Sequence, residues 1–87
     1  MYVIAVYDVA AERTSKMLKL CRQYLNWIQN SVFEGELSPV QLLELEAAAK
    51  EIMDLSYDSF IIFTNTHVHR TDRRIIGCKR AEDGQFL

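Results

Sequence analysis

The sequence is poor in cysteine, proline and glycine, and it has no long apolar run. Its 87 residues include two cysteines, one proline and three glycines. Cys21 and Cys78 lie far apart and form no CxxC motif, so a reducing cytoplasm is the expected compartment, with a structural pair as the lesser alternative. No apolar run approaches the length of about 18 residues that a membrane-spanning helix needs. The opening MYVIAVYDV has neither the basic region nor the cleavage site of a signal peptide. We therefore expect no membrane association.

The sequence also lacks a glycine-rich phosphate loop and an excess of positive charge. Without such a loop, nucleoside triphosphate chemistry is not indicated. The formal net charge of −2 argues weakly against a general nucleic-acid-binding protein. However, the charges are unevenly distributed, because the acids concentrate in 34–51 (five of twelve) and at Glu82 and Asp83, while the bases form two groups. The first group is Arg13, Lys16, Lys19 and Arg22, and the second is Arg70, Arg73, Arg74, Lys79 and Arg80. Each group predicts either a local anion-binding surface or a solvated face.

The composition, 49% hydrophobic and 25% charged, is that of a globular protein. Residues 1–87 are expected to form a single domain. A chain of this length buries only about 60–65% of the surface that its unfolded form exposes, so association with another chain is a natural supplement.

Hydrophobic periodicity predicts an alternation of strands and helices. The expected elements are, in order, strand 2–9, helix 13–27, strand region 28–37, helix 39–54, strand 57–64, loop 65–72 and strand 73–78. The second helix has a complete start signal, since Ser38 can cap it, Pro39 suits its first position and Gln41 completes a capping box. The region 28–37 is either one bent strand or two short strands that meet near Asn30 and Ser31.

This order predicts an α+β fold, a ferredoxin-like two-layer sandwich with two helices on one face of an antiparallel sheet. The uncovered face of so small a sheet favours pairing with a second copy, which predicts a homodimer. The polar tail, about 79–87, ends in Phe86 and Leu87. Those two residues either dock on the partner subunit or belong to a frayed terminus.

Asp8 is the first candidate for chemistry. It follows an apolar strand and shares side-chain parity with Ile4 and Val6, which places a carboxylate at the mouth of the sheet. There it would either hold a cation or serve as an ordinary turn or cap residue. Mg²⁺ typically takes one or two carboxylates together with waters and phosphate oxygens. Two copies of Asp8 across a dimer axis would therefore supply a magnesium site.

Other candidates have plainer alternatives. His67 and His69 form an HxH pair, but no third ligand at a zinc-like spacing accompanies them, so phosphate contact or solvent exposure is expected instead. Ser31 has no evident histidine base. Tyr7, Trp27 and Phe33 can stack nucleic-acid bases on an open sheet or pack in the core. For Trp27, placed at a helix end, core packing is the expected outcome.

Three segments resemble one family across nearly the whole chain. MYVIAVYDV at the start, WIQNSVFEGEL in the middle and RRIIGC near the end are similar to the CRISPR-associated Cas2 family, the small proteins that accompany the Cas1 integrase in spacer acquisition. The resemblance implies a ferredoxin-like homodimer whose C-terminal strand packs on the partner's sheet. It also implies a magnesium site formed by Asp8 of both subunits. Tyr7, Asp8 and Phe33 occupy the family's motif positions, where a catalytic role is expected, and Ser31, inside the SVFEG block, is expected to contact nucleic acid.

The activity that this resemblance implies is metal-dependent endonuclease cleavage of single-stranded RNA or double-stranded DNA, in antiviral defence. The alternative is a DNA-binding scaffold of the integration complex whose own cleavage is dispensable. Phosphate contacts are expected from Arg13 and Lys16 near the first helix start and from Arg73 and Arg74 on the last strand. The chain departs from many members by having alanine at 10 and 11 and tryptophan at 27, changes that remove possible metal or phosphate contacts.

Overall fold

The computed structural model describes residues 1–67 and 70–78, with the side chains of 66, 67 and 70 outside the description. The described part contains five strands and two helices. In chain order they are β1 (Tyr2–Asp8), α1 (Ala11–Tyr24), β2 (Asn26–Gln29), β3 (Val32–Glu36), α2 (Pro39–Ile52), β4 (Ser59–His67) and β5 (Arg70–Gly77). No helix in this part has the length and apolarity needed to cross a bilayer.

The strands form one antiparallel sheet in the order β2-β3-β1-β4-β5. Because β1 lies in the centre, it is hydrogen-bonded on both sides, which agrees with its almost wholly apolar sequence. Both helices pack on one face of the sheet, and they contribute Met17, Leu20, Leu42 and Leu45 to the core. The predicted α+β ferredoxin-like sandwich is confirmed.

Alternation along β1 separates the two faces of the sheet. Val3, Ala5 and Tyr7 point toward the helices and belong to the core cluster. Val6 is also buried but lies outside that cluster, together with its cross-strand partner Ile61. We call the surface on this side of the sheet, which no helix covers, the open face. It carries Tyr2, Ile4, Val6 and Asp8 of β1 and Ser59, Ile61 and Phe63 of β4.

The first helix is shorter than the sequence predicts. α1 ends at Tyr24, and residues 26–29 form β2 instead of a last helical turn. The strand forms because Asn30 and Ser31 make a tight turn, with Asn30 at φ 48°, so that β2 pairs back on β3. Asparagine tolerates this left-handed conformation better than most residues. The two-strand alternative for 28–37 is therefore confirmed, and the placement of Trp27 on a helix end was wrong.

The predicted loop 65–72 is also wrong, because β4 continues to His67 and β5 starts at Arg70. Beyond the pair Tyr2↔Asn65, the two strands have only each other as neighbours. Strand ends that pair only with each other need no apolar run, so the polar sequence of this segment resembles that of a loop. The tail 79–87 and His69 lie outside the described residues.

The start of α2 agrees with its sequence signal. The Ser38 hydroxyl accepts a hydrogen bond from the backbone N–H of Gln41 at 3.1 Å, and the Gln41 side chain accepts one from the N–H of Ser38 at 2.9 Å. Pro39 lies in the first turn, where a backbone N–H has no partner within the helix, so the missing N–H of proline costs no hydrogen bond. The helix is thereby fixed at its first residue, with Leu42, Leu45 and Ala49 facing the core.

Candidate functional site

Asp8 is the last residue of β1 and is exposed on the open face. Two neighbouring segments meet it there. In the β1–β4 ladder its partner is Ser59, and the backbone N–H of the preceding Tyr7 donates to the carbonyl of Ser31 at 3.2 Å. Asp8 and Ser31, separate in the sequence, are thus brought to the same end of the sheet.

Ser59 was not among the predicted residues. It is fully buried, and its hydroxyl has no hydrogen-bond partner within the described part of the chain. A buried hydroxyl without a partner costs about 1–3 kcal/mol. Since directly paired residues of neighbouring strands project to the same face, this hydroxyl lies on the side of the sheet that carries Asp8. An unpaired oxygen therefore lies next to the candidate carboxylate.

Asp58, also missed by sequence reasoning, is fully buried at the end of the loop before β4. Its Oδ1 accepts hydrogen bonds from the backbone N–H of Ala10 at 2.9 Å and from Arg13 Nη2 at 3.1 Å. Its Oδ2 accepts from Arg13 Nε at 2.5 Å and from the N–H of Asp54 at 2.9 Å. One carboxylate therefore fixes the turn between Asp8 and α1.

The charge on Asp58 is kept by these contacts. Burial alone would raise the pKa of this carboxyl, but the hydrogen bonds from Arg13, Asp54 and Ala10 outweigh burial and hold the pKa below its usual range. The same pairing raises the pKa of Arg13. Because the guanidinium is committed to Asp58, Arg13 positions the chain near Asp8, and its predicted role as a phosphate contact stays a prediction.

The end of β5 is joined to the same residue. The backbone N–H of Cys78 donates to the carbonyl of Asp58 at 2.7 Å. Gly77 has φ +93°, and a Cβ at that position would collide with the Asp58 carbonyl oxygen. Only glycine fits there without strain. The sequence signal for this arrangement was an acid directly before an apolar strand and a glycine near the end of the next strand.

Tyr7 and Phe33 lie on the helix side of the sheet. Their exposures are 5% and 0%, and their rings stack with centroids 6.0 Å apart. Burial raises the pKa of the Tyr7 phenol. The hypothesis that Phe33 stacks a base on an open sheet is wrong, because α1 and α2 cover that face. The catalytic role that the resemblance gives to both residues stays a prediction, and the structure places them in the packing beside Asp8.

The predicted phosphate-binding residues do not form one group. Lys16 is exposed on α1. Arg73 and Arg74 point to opposite faces, because Arg73 pairs in register with Phe63 of the open face and Arg74 with Ile62 of the core. Arg74 Nη2 forms an ion pair with Glu46 Oε1 at 3.1 Å. Arg73 and Arg74 therefore lie on opposite faces of the sheet, and their predicted role as phosphate contacts stays a prediction.

Within the described residues, no three His, Cys, Asp or Glu side chains are grouped closely enough to hold a metal ion. The side chains of the HxH pair lie outside the description. Both cysteines are free, and burial raises the pKa of the Cys21 thiol to about 12. A single chain thus offers Mg²⁺ the exposed carboxylate of Asp8, whereas the Ser59 hydroxyl on the same face is buried. One carboxylate suits Mg²⁺ as half of a site, because the ion keeps several waters.

Known proteins are similar to this chain in sequence. The family model described as CRISPR associated protein Cas2 matches residues 1–72. A protein of Methanosarcina acetivorans named CRISPR-associated endoribonuclease Cas2 is 42% identical over 88% of this chain and 83% of its own. A protein of the same name from Thermotoga maritima is 40% identical over 97% of both chains.

Two solved structures are similar as well. A crystal structure described as Cas2 is 49% identical, with a TM-score of 0.70 over 83% of this chain and 88% of that chain. Streptococcus pyogenes Cas2, crystallised at pH 6.5, is 31% identical, with a TM-score of 0.69 over 75% of this chain and 86% of that chain. The match thus covers both the sequence and the fold that carries Asp8. The chain belongs to the CRISPR-associated Cas2 family.

Proposed function

We propose that this protein is an Mg²⁺-dependent endonuclease that cleaves single-stranded RNA, with double-stranded DNA as a second substrate, in CRISPR spacer acquisition and antiviral defence. The relatives named endoribonuclease support the nuclease role. The observation that carries the proposal is the position of Asp8, which is exposed where the central strand ends and stands on the open face of the sheet.

Two copies of the chain complete the site. One chain contributes one carboxylate, and Mg²⁺ binds well to two together with water and phosphate oxygens. The open face carries Ile4, Phe63 and Ile75, which are only partly buried in the single chain. A second copy packed on this face would bury them and supply the second Asp8. Bound Mg²⁺ would neutralise charge that develops on the scissile phosphate.

The other residues of the site have supporting roles. Asp58 fixes the turn after Asp8 through Ala10 and Arg13, so the carboxylate is held on a rigid element. Arg73 is exposed on the open face, where it can contact the phosphate backbone, whereas Lys16 is exposed on α1, on the other side of the sheet. Such contacts position a substrate without reading its sequence, so low sequence specificity is expected. The proposed partners are a second copy and the Cas1 integrase, and the proposed compartment is the cytoplasm.

The test is cleavage of single-stranded RNA and of duplex DNA by wild type and Asp8→Asn, each in Mg²⁺ and in EDTA. Asparagine keeps the size of the side chain and removes its charge. We expect Asp8→Asn to lower the rate by 10²-fold or more, since a metal-assisted step loses several kcal/mol of charge stabilisation. Glu44→Gln, which neutralises an exposed acid on α2, is the matched control and should retain full activity.

A second candidate function is a scaffold that binds duplex DNA for an integrase. The exposed basic surface of α1 favours it. In this case no cleavage occurs, Asp8→Asn binds duplex as wild type does, and affinity falls steeply with salt because bound phosphates release counterions. Metal-dependent cleavage that is lost in Asp8→Asn would reject the scaffold as the whole function.

A further inference from the structure

Trp27 is the only tryptophan of the chain, and it is 53% exposed. Its register partner is Phe33, so its side chain lies on the helix side of the sheet. The other rings on that side, Tyr7, Phe33 and Phe60, are at most 5% exposed. Trp27 differs because β2 is the edge strand of the sheet, and all four of its residues are exposed. A large aromatic surface is therefore left in contact with solvent.

The indole ring is held in place from within the hairpin. Its Nε1–H donates to the carbonyl of Asn30 at 2.9 Å, across the tight turn in which Asn30 has φ 48°. The ladder between β2 and β3 shifts register between Trp27 and Gln29, and bulges of this kind re-aim side chains. Because the only polar hydrogen of the ring already has a partner, the exposed ring surface can bind a ligand only through stacking or apolar contact.

Positive charge lies on the same side of the molecule. α1 exposes Lys16, Lys19 and Arg22, and the helix joins β2 through the buried Leu25. Trp27 follows Arg22 by only five positions. By contrast, the exposed charges of α2 include Glu44 and Glu51, which would repel a polyanion. A nucleic-acid strand on the helix side is therefore directed to α1, whose C-terminal end is followed directly by β2 and Trp27.

We propose that Trp27 is a stacking platform for an unpaired base of single-stranded nucleic acid whose phosphates run along Lys16, Lys19 and Arg22. Every base has a π-face, so the contact is independent of sequence, and a base in a closed duplex cannot make it. Loss of one such base contact weakens binding by roughly 5- to 150-fold. The inference rests on the proposed function in requiring nucleic-acid binding, but it is independent of Asp8 and of cleavage.

Because Trp27 is the sole tryptophan, its fluorescence reports directly on this contact. We would titrate the full chain, in EDTA to prevent cleavage, with a short single-stranded RNA and with the fully paired duplex of the same sequence. Binding of each labelled RNA would be followed in parallel by fluorescence anisotropy. We expect saturable quenching of Trp27 by the single strand and little quenching by the duplex. Single-stranded RNA that binds without changing the tryptophan emission would overturn the proposal.

Substitutions separate stacking from folding. Trp27→Ala should weaken binding of the single strand by the stated factor, whereas Trp27→Phe should stay within a few-fold of wild type because phenylalanine also stacks. Tyr57→Ala is the matched control, since Tyr57 is 52% exposed but lies in the loop before β4. Equal affinities for wild type, Trp27→Ala and Tyr57→Ala would reject the platform, and the circular dichroism spectrum of each variant checks its fold.

The outcome also distinguishes this inference from the proposed function. Asp8→Asn should show the same quenching as wild type, because the platform and the carboxylate are on opposite faces of the sheet. If Asp8-dependent cleavage occurs without quenching, only the platform fails. If quenching occurs without cleavage, only the nuclease fails.

Discussion

At the residue scale, the neighbourhood of Asp8 depends on the carboxylate of Asp58. Its two oxygens accept four hydrogen bonds, from Arg13, Ala10 and Asp54, and its backbone carbonyl accepts a fifth from Cys78. A buried charge is tolerated only when it is paired and hydrogen-bonded, and Asp58 meets both conditions. The turn after Asp8, the start of α1 and the end of β5 are therefore joined at a single point.

Asp58→Asn should lower the free energy of unfolding by about 1–3 kcal/mol at neutral pH, since it leaves the Arg13 guanidinium without its charged partner. The pKa of Asp58 is lowered in the folded state, so its stabilisation is complete above the unfolded value of about 3.9 and is lost as the pH falls through the folded value. The difference between wild type and Asp58→Asn should therefore shrink below about pH 4.

Urea denaturation across this pH range measures the effect. Asp54 also has a lowered pKa, which follows mainly from its hydrogen bonds with Ser56, and both proteins retain those bonds. Arg13→Gln should reproduce most of the loss, and the double variant should lose less than the sum of the two. A difference that stays constant from neutral to acidic pH would contradict the charged pair.

At the element scale, the sequence predicts an end of a helix most clearly where nearby side chains hydrogen-bond to the backbone of that end. Ser38, Pro39 and Gln41 predict the start of α2, and the structure has the complete capping box. The end of α1 was misplaced because no comparable stop signal marks Tyr24. The helix ends because β2 pairs with β3. The helical spacing of Met17, Cys21 and Tyr24 carries no information about that long-range contact.

Ser38→Ala should lower the free energy of unfolding by about 1 kcal/mol, because the N–H of Gln41 loses its acceptor. For a chain of this size the midpoint of thermal unfolding should fall by roughly 4–8 °C. Calorimetry or thermal circular dichroism measures the shift. Ser38→Thr keeps the cap oxygen and should recover most of it, so equal losses in the alanine and threonine variants would argue against the capping box.

At the scale of the whole molecule, the two faces of the sheet differ in what covers them. The helices cover one face. The open face carries Tyr2, Ile4 and Phe63, and a shallow depression between β1, β4 and β5 lies among them. A chain of 87 residues has few other ways to bury apolar surface. This is the physical basis for expecting the homodimer.

Phe63→Arg should convert the proposed homodimer to a monomer. Burial of one phenylalanine contributes about 1.5–3 kcal/mol, and a symmetric interface loses this twice, so dimer affinity should fall by about 10²- to 10⁴-fold. Light scattering with size-exclusion chromatography measures the mass. Leu43→Arg, at a 60% exposed site on the solvent side of α2, is the control and should remain dimeric. A wild-type chain that is monomeric at micromolar concentration would reject the interface.

The sequence alone determined the features that depend on neighbours along the chain. These were the buried strand that ends at Asp8, the amphipathic helices, the cap at Ser38 and the family blocks, and together they predicted the α+β sandwich. Tertiary structure decided what depends on long-range contact. It placed Ser59 beside Asp8, joined Arg13 to Asp58 across 45 positions, turned Arg73 and Arg74 to opposite faces and left Trp27 exposed at the sheet edge. Periodicity gives the face on which a side chain lies, but only the packed sheet gives its partner.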